Sequence, residues 1–259
     1  MYTVLIQGPI KNHRHVNMLY EHYTMKGGHV VIHTWDSDEA KKLEYPYTSL
    51  KLEEDNDIIK FNHPLSSNKI LSSIYYHIKN VATAFDNFTS TMPVIKIRSD
   101  EYYSDLSEVV EYLLKNPNKL VCNNVFLRKQ SEQPFNISDH LLGMSYNNMK
   151  NTYKTLHTFF DNFRLLTNQK DIFSEEVYES LWGKKYFGTQ NLICRSFLMN
   201  LGYTKLDDIN IVKENCHCIP VSELGDYIIM NNHKNERFDS IMGKSWPHDN
   251  TKYGENRIW

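Results

Sequence analysis

Three carboxylates follow a short apolar stretch in the middle of the chain. Pro93–Arg98 is rich in β-branched residues, which predicts a strand. Asp100, Glu101 and Asp105 come directly after it. In an open α/β sheet, ligands bind beyond the carboxyl ends of the strands. Carboxylate oxygens at that edge can hold Mg²⁺ or Mn²⁺, which in turn neutralises a diphosphate. The pattern therefore predicts a cation site. The alternative is a strand, a turn and a capping residue, Asp105, for the next helix.

The elements that precede this stretch predict a parallel sheet. Tyr2–Gln7 is a short apolar run closed by the strand breaker Gly8-Pro9, and His29–Trp35 is a second strand. Between them, Asn12–Lys26 carries apolar residues at helical spacing and ends at two glycines. A strand, a helix and a strand in this order form a right-handed βαβ unit whose strands run parallel.

Two more strands and two more helices are predicted up to about residue 128. The polar residues 39–67 are predicted to be irregular apart from one short strand, and a helix with one apolar face follows from Asn68. A second helix is capped by Asp105, with Glu108 at capping-box spacing. The two strands are Asp57–Phe61 and Leu120–Leu127. This order predicts an α/β fold with an open, mostly parallel twisted sheet flanked by helices.

Beyond residue 128 the alternation of strands and helices weakens, and we predict a helical and irregular C-terminal part. Leu141–Met144 is predicted as a strand at the edge of the sheet. Helices are predicted over 147–166, 175–182 and 190–201, and late strands within 209–220 and at 227–230. The last 25 residues show no pattern that predicts an element.

Length, charge and cysteine usage exclude several classes of protein. At 259 residues the chain can bury a sizeable core as one large domain. The formal net charge of -2 gives no general attraction to nucleic acid or to an anionic membrane. No apolar run approaches the roughly 18 residues that a membrane span needs. The isolated cysteines Cys122 and Cys194 and the lack of an export signal predict reduced thiols in a cytoplasmic protein.

Four stretches have the order and spacing of a known family over roughly residues 2 to 200. They are Val4–Ile10 together with the strand that ends His33-Thr34-Trp35, then Asn68–Ile70, Ile95–Asp100 and Ile137–Gly143. Together they resemble the WavE-type lipopolysaccharide-synthesis glycosyltransferases, a family with the GT-A fold.

This resemblance implies a glycosyltransferase that moves a sugar from a nucleotide-diphospho-sugar to a hydroxyl acceptor on a glycan, with Mn²⁺ or Mg²⁺ as cofactor. It implies one GT-A-like domain over 1–259, in which residues up to about 128 bind the nucleotide-sugar and the rest form the acceptor side and a tail. Asp100 stands where the family has its metal-binding acid. The usual Asp-x-Asp spacing is absent, so the adjacent Glu101 is the second candidate ligand. One carboxylate is enough if the diphosphate and water fill the other positions.

Six residues are candidates for binding the donor. They are Gln7, Gly8, Pro9, Asp36, Lys69 and Arg98. Gly8 lets the backbone approach a nucleotide at the carboxyl edge of the sheet, although a tight turn also explains it. Asp36 can accept hydrogen bonds from a base or ribose, or it can cap a turn. Lys69 and Arg98 can pair with a diphosphate, or they can be ordinary solvated charges.

The general base is the least determined part of the predicted site. Family members commonly carry an acid at the start of the helix that begins here Gly188-Thr189-Gln190, and Thr189 cannot act as a base. Asp139 is the candidate base, and His140 is a candidate to orient that base or to contact substrate. A turn-forming Asp139 and a structural His140 are the alternatives. A further alternative is a non-catalytic nucleotide-sugar or glycan-binding protein with a degenerate GT-A fold.

Overall fold

A mixed seven-stranded sheet forms the centre of the protein, and a three-stranded sheet lies beside it. The computed structural model describes residues 1–51, 68–125, 127, 135–167, 188–206, 208–230 and 237–239. The strands are β1 (Tyr2–Gln7), β2 (Gly28–Trp35), β3 (Tyr47–Leu50), β4 (Pro93–Arg98), β5 (Glu101–Tyr103), β6 (Leu120–Asn123), β7 (Leu141–Ser145), β8 (Cys216–Ile219), β9 (Tyr227–Met230) and β10 (Arg237–Asp239). The large sheet has the order β3-β2-β1-β4-β7-β6-β8, and the small sheet has the order β10-β9-β5.

Helices cover both faces of the large sheet. They are α1 (His13–Met25), α2 (Asn68–Ala84), α3 (Ser107–Lys115), α4 (Tyr146–Thr167), α5 (Thr189–Asn200) and α6 (Asn210–Asn215). The side chains of β1 alternate between two apolar clusters, because successive residues of a strand point to opposite faces. Val4 and Ile6 pack in the cluster that contains residues of α1 and α3. Leu5 packs in the cluster that contains residues of α2, α4 and α5.

The predicted α/β architecture is confirmed. β1 pairs in parallel with β2 and with β4, β2 pairs in parallel with β3, and β6 pairs in parallel with β8. Only the two pairings that β7 makes, with β4 and with β6, are antiparallel within this sheet as described. The βαβ unit of β1, α1 and β2 has the predicted course. As a result, β1, β2 and β4 end at the same edge of the sheet.

The strand β7 lies inside the sheet, so its predicted position at the edge is wrong. It runs between β4 and β6, and its side chains Leu141, Leu142 and Met144 are fully buried. Both faces of a central strand are covered, which explains this continuous apolar run. At Gly143 an added Cβ would lie 2.8 Å from Leu113 Cδ1, so the absence of a side chain lets α3 pack closely on β7.

Two further assignments differ from the prediction. The polar stretch 39–67, predicted to be irregular apart from one strand further along, contains a short 3-10 helix, Ala40–Lys42, and the strand β3. All four residues of β3 pair with residues of β2. The predicted late strand within 209–220 is confirmed as β8, which follows the short helix α6. The strand β6 ends at Asn123 rather than at Leu127.

The small sheet contains Glu101, one of the three acids that follow β4. Glu101 lies in β5, which pairs antiparallel with β9. Asp105 accepts a hydrogen bond from the Ser107 backbone N–H at 2.8 Å, at the start of α3. Asp105 thus bonds to the first residue of α3, but the N-cap position is occupied by Leu106, one residue after the predicted cap.

Some predictions fall outside the described residues. These are the predicted strand Asp57–Phe61, the predicted helix 175–182 and most of the C-terminal tail. The predicted division near residue 128 into a donor half and an acceptor half stays a prediction. The four cysteines are free thiols, and Cys122 and Cys194 are buried as predicted. No helix among the described residues is long and apolar enough to cross a membrane.

The buried histidine His33 ties β2 to its neighbours. Its Nε2 lies 3.1 Å from Thr83 Oγ1 and its Nδ1 lies 2.6 Å from Thr48 Oγ1. The Thr83 hydroxyl donates to the Lys79 carbonyl at 2.7 Å, so its oxygen is free to accept from the Nε2–H of a neutral ring. Burial disfavours the imidazolium and lowers the pKa of His33 to about 4.

We expect His33 to make the folded state sensitive to acid. Between pH 6.5 and pH 4 the unfolded chain binds a proton at this residue and the folded chain does not, so stability falls as the pH falls. The loss attributable to His33 is at most about 3 kcal/mol across that window. Urea unfolding from pH 7 to pH 4 should show a shallower loss for His33→Gln than for the wild type.

The matched control is His29→Gln, at an exposed position of the same strand. This variant should follow the wild-type curve. Equal acid sensitivity of His33→Gln and the wild type would contradict the assignment.

Candidate functional site

A pocket of about 340 Å³ opens where β1, β2 and β4 end. Its walls combine a turn, two aromatic rings, two cations and one carboxylate. The lining residues are Gln7, Gly8, Pro9, Lys11, Trp35, Ser73, Tyr76, His77, Arg98, Ser99 and Asp100. Parallel strands end at one edge, which brings these distant parts of the chain together.

The turn Gln7-Gly8-Pro9 is fastened to both neighbouring strands. Gly8 has a φ of 111°, a region that favours glycine. Its carbonyl accepts a hydrogen bond from Thr34 Oγ1 at 2.8 Å, next to the end of β2. On the other side, the Ser99 N–H donates to the Gln7 carbonyl at 2.8 Å, and the Ser99 hydroxyl donates to the Pro9 carbonyl at 2.8 Å. The turn is therefore a fixed wall of the pocket.

Arg98 and Asp100 form a two-pronged ion pair in the pocket wall. Arg98 Nε donates to Asp100 Oδ1 and Nη2 donates to Asp100 Oδ2, both at 2.9 Å. Burial alone would lower the pKa of Arg98, but the hydrogen bonds to Asp100 and the charge of Glu101 raise it. Burial would likewise raise the pKa of Asp100, yet the guanidinium holds it below its ordinary value. Both groups are charged in the folded protein.

Glu101 lies behind this pair and is fully buried. Its Oε1 lies 3.1 Å from Arg98 Nε and also hydrogen-bonds to His140 Nδ1. Its Oε2 accepts from the Tyr103 hydroxyl at 2.7 Å, and that hydroxyl accepts from Asn123 Nδ2 at 2.9 Å. Each oxygen of Glu101 thus has a partner within the core. The side chain connects the pocket wall to the small sheet.

Lys96 lies completely buried on the same strand, two positions before Arg98. Its Nζ donates to the Asp139 carbonyl. Burial disfavours the ammonium and lowers the pKa of Lys96 to about 8, which the nearby Asp139 carboxylate partly offsets. We call Lys96, Arg98, Asp100, Glu101, Asp139 and His140 the ionic network, because direct contacts or charge interactions link them.

Asp139 is buried next to the pocket but does not line it. Its Oδ1 accepts from Gln190 Nε2 at 3.0 Å, near the start of α5. Burial would raise its pKa, but the charges of Lys96 and then His140 hold it well below the ordinary value. A carboxylate with a lowered pKa is a weak proton acceptor. The roles of Asp139 as general base and of His140 as its partner stay predictions, and their contacts are those of residues that stabilise buried charge.

The other two predicted donor-binding residues are Asp36 and Lys69. Asp36 follows β2 outside the lining of the pocket, and its N–H donates to the Leu50 carbonyl at 2.7 Å. Lys69 is the second residue of α2, and its side chain lies outside the described part of the structure. The structure therefore brings together Gln7, Gly8, Pro9 and Arg98 of the predicted donor set.

Six lining residues were not predicted as site residues from the sequence: Lys11, Trp35, Ser73, Tyr76, His77 and Ser99. Trp35 and Tyr76 meet edge to face with ring centroids 5.6 Å apart, and Lys11 is exposed at the rim. His77 lies one turn along α2 from Ser73, and burial together with Lys96 lowers its pKa to about 3, so the ring is neutral. The signal that could have found Trp35 was its position as the last residue of a parallel strand.

The described acids do not fit a divalent cation as they are placed. Cations of this type need several oxygen ligands with free lone pairs. Both oxygens of Asp100 are engaged by a guanidinium, and both oxygens of Glu101 are engaged in the core. Among the described residues, no three His, Cys, Asp or Glu side chains are grouped so that they could hold a metal ion. The predicted cation site stays a prediction.

No protein-family model matches the chain, and neither does any curated protein. Solved structures do show some similarity. HddC from Yersinia pseudotuberculosis complexed with GMP-PN is 12% identical, with a TM-score of 0.35, over 58% of this chain and 79% of that one. A glycosyltransferase involved in the glycosylation of the major capsid of PBCV-1 is 11% identical, with a TM-score of 0.40, over 85% of this chain and 82% of that one.

A third solved structure is galactosyltransferase LgtC in complex with donor and acceptor sugar analogues. It is 11% identical, with a TM-score of 0.40, over 76% of this chain and 70% of that one. Similarity at this level assigns no role to any residue of this chain. The chemistry therefore has to be argued from the pocket itself.

We expect the Gly8 turn to be intolerant of a side chain. Gly8→Ala should lower the free energy of unfolding by about 1–3 kcal/mol, because alanine rarely adopts a positive φ. An added Cβ would lie 3.4 Å from Ser99 Oγ, which is an ordinary contact, so backbone strain is the cause. Urea unfolding measures the loss.

The double variant Gly8→Ala/Ser99→Ala distinguishes backbone strain at position 8 from a steric contact between the added Cβ and the Ser99 hydroxyl. If backbone strain is the cause, the losses in the free energy of unfolding from the two substitutions should add. Recovery of stability in the double variant, or an unchanged stability of Gly8→Ala, would contradict the explanation.

Proposed function

We propose that the protein is a GT-A type glycosyltransferase that transfers a sugar from a nucleotide-diphospho-sugar to a hydroxyl acceptor on a glycan. The observation that carries the proposal is the composition of one pocket. It joins a glycine turn, an indole ring and two cations at the carboxyl edge of a parallel sheet. Ligands bind at this edge in open α/β sheets, and the pocket falls within the usual size range of ligand sites.

Each part of the pocket matches one part of such a donor. The Trp35 indole, supported by Tyr76, offers an aromatic surface for a nucleobase. The backbone at Gly8 allows a close approach because that residue has no side chain. Lys11 and Arg98 provide positive charge for the diphosphate. The sugar would then extend toward the side of the pocket formed by Ser73 and His77.

The transfer itself requires charge stabilisation more than covalent chemistry. The bond between the anomeric carbon and the diphosphate oxygen breaks, and its electron pair leaves with the nucleoside diphosphate. The acceptor oxygen bonds to the anomeric carbon and releases its proton to a base or to water. Groups fixed in place before the reaction stabilise the leaving charge most effectively. Arg98, held by Asp100 and Glu101, is such a group.

A second candidate function is non-catalytic binding of a nucleotide-sugar or glycan. Three observations favour it. The helix α5 begins at Thr189, where the resembling family has an acid, and Asp139 has a lowered pKa. Among the described lining residues, the only carboxylate is Asp100, which is paired with Arg98. A protein of this kind would bind the donor and leave it intact.

Donor hydrolysis distinguishes the two functions. We expect one nucleotide-sugar from a panel to raise the melting temperature, because a ligand that binds the folded state stabilises it. With that donor, a glycosyltransferase should slowly release nucleoside diphosphate even without an acceptor, and faster with the right glycan. Binding with no release under any condition would favour the second function. Failure of every donor to bind would contradict both.

Trp35 tests the nucleobase contact. Trp35→Ala should weaken binding of the identified donor about 10- to 100-fold, since aromatic stacking contributes on the order of 1–3 kcal/mol per base. Trp35→Phe should retain most of the affinity. The control is Tyr45→Ala, which removes a ring stacked 4.0 Å from Tyr20 outside the pocket lining. Equal affinities of Trp35→Ala and the control in calorimetric titrations would exclude the contact.

A further inference from the structure

We infer that Arg98 and Lys11 neutralise the donor diphosphate and that no divalent cation is needed for this. The inference rests on the proposed function and deepens it. It reverses the expectation drawn from the acids after β4. Asp100 then acts as a positioning residue that orients the Arg98 guanidinium, and not as a metal ligand.

Asp100 has no carboxylate oxygen that is unengaged by Arg98. A metal ligand must offer an oxygen lone pair to the cation, and a second positive charge beside that oxygen repels it. Each oxygen of Asp100 accepts a hydrogen bond from Arg98 at 2.9 Å. A divalent cation on Asp100 would therefore have to displace the guanidinium or remain close to it. Displacement would leave Arg98 with one carboxylate in place of two.

Glu101, which follows Asp100 in the sequence, is the second candidate cation ligand. It is fully buried, and its oxygens contact Arg98, His140 and Tyr103. Recruiting Glu101 to a cation would break several buried hydrogen bonds, each of which is costly to leave unmade. The paired acids that suggested a cation site in the sequence thus have another role. They hold one arginine in a defined orientation.

Arg98 retains N–H donors beyond those that Asp100 engages. A guanidinium carries five N–H donors, and the pair with Asp100 uses two of them. The side chain remains 38% exposed and lines the pocket. Its planar fork suits phosphate oxygens. Lys11 lines the same pocket and forms no ion pair with another described residue. Two cations therefore face the space proposed for the diphosphate.

The roles of the two acids follow from this arrangement. Asp100 and Glu101 contact Arg98 from its own stretch of chain, and they fix the direction of its fork before a ligand arrives. Preorganised charge stabilises a leaving group without the cost of reorganisation. When the sugar–diphosphate bond breaks, the electron pair stays on the diphosphate next to Arg98.

The test is calorimetric titration of the full chain with UDP, GDP, ADP, CDP and dTDP, in EDTA and again in Mn²⁺. We expect at least one nucleotide to bind in EDTA with an affinity that Mn²⁺ changes less than about threefold, because charge-assisted bonds from the protein supply the attraction. Arg98→Gln should weaken that binding by about 10-fold or more, with no rescue by Mn²⁺. Lys11→Gln should have a smaller effect in the same direction.

Asp100→Asn separates a positioning residue from a metal ligand. The amide oxygen can still accept from Arg98 Nε, so affinity in EDTA should fall only a few-fold, as expected for one weakened hydrogen bond. The response to Mn²⁺ should be the same as that of the wild type. Thermal melting of each variant confirms that it is folded. The matched control is Lys115→Gln, an exposed position on α3, which should bind like the wild type.

The outcomes separate this inference from the proposed function. Binding that requires Mn²⁺ and is lost in Asp100→Asn would overturn the inference and leave the glycosyltransferase proposal standing. Binding in EDTA, together with intact nucleotide-sugars in every donor assay, would leave the diphosphate site standing and overturn the proposal of transfer. No binding in either condition would overturn both.

Discussion

Two cationic side chains, Lys96 and Arg98, lie on the central strand β4, and most of the site follows from the need to neutralise them. A buried charge is tolerated only when it is paired and hydrogen-bonded. Lys96 is completely buried among apolar side chains of neighbouring strands. Its nearest partner is Asp139, from the segment that leads into β7. The pairing therefore constrains the course of a segment that lies 43 positions later in the sequence.

Arg98 imposes a similar constraint at the pocket. Its partners Asp100 and Glu101 come from the residues directly after it, and Glu101 is held in turn by His140 and Tyr103. Because Glu101 belongs to β5, the small sheet is part of the support of the arginine. Loss of one member of such a network leaves an uncompensated charge in the interior, which costs more than the pair itself contributes. The ionic network thus links the core, the small sheet and the pocket wall.

The same network explains why these carboxylates are poor candidates for proton transfer or cation binding. Asp100 and Asp139 both have a pKa held below the ordinary value by adjacent cations. Their function in the described structure is to stabilise positive charge. The pocket then presents one oriented guanidinium, one exposed lysine and an indole ring. This set favours an anionic ligand with an aromatic group, and it is the basis on which a nucleotide-diphospho-sugar is proposed.

The sequence by itself determined the main strands and helices, the parallel βαβ unit and the meeting of Gln7-Gly8-Pro9 with Arg98. These follow from periodicity, from glycine and proline positions, and from the rule that parallel strands end at one edge. Only the tertiary structure placed β7 between β4 and β6, buried Glu101 and paired Arg98 with Asp100. A run of charges in sequence has the same local pattern whether it binds a cation or an arginine. The choice depends on which distant groups lie within hydrogen-bonding distance, and packing between separate elements decides that.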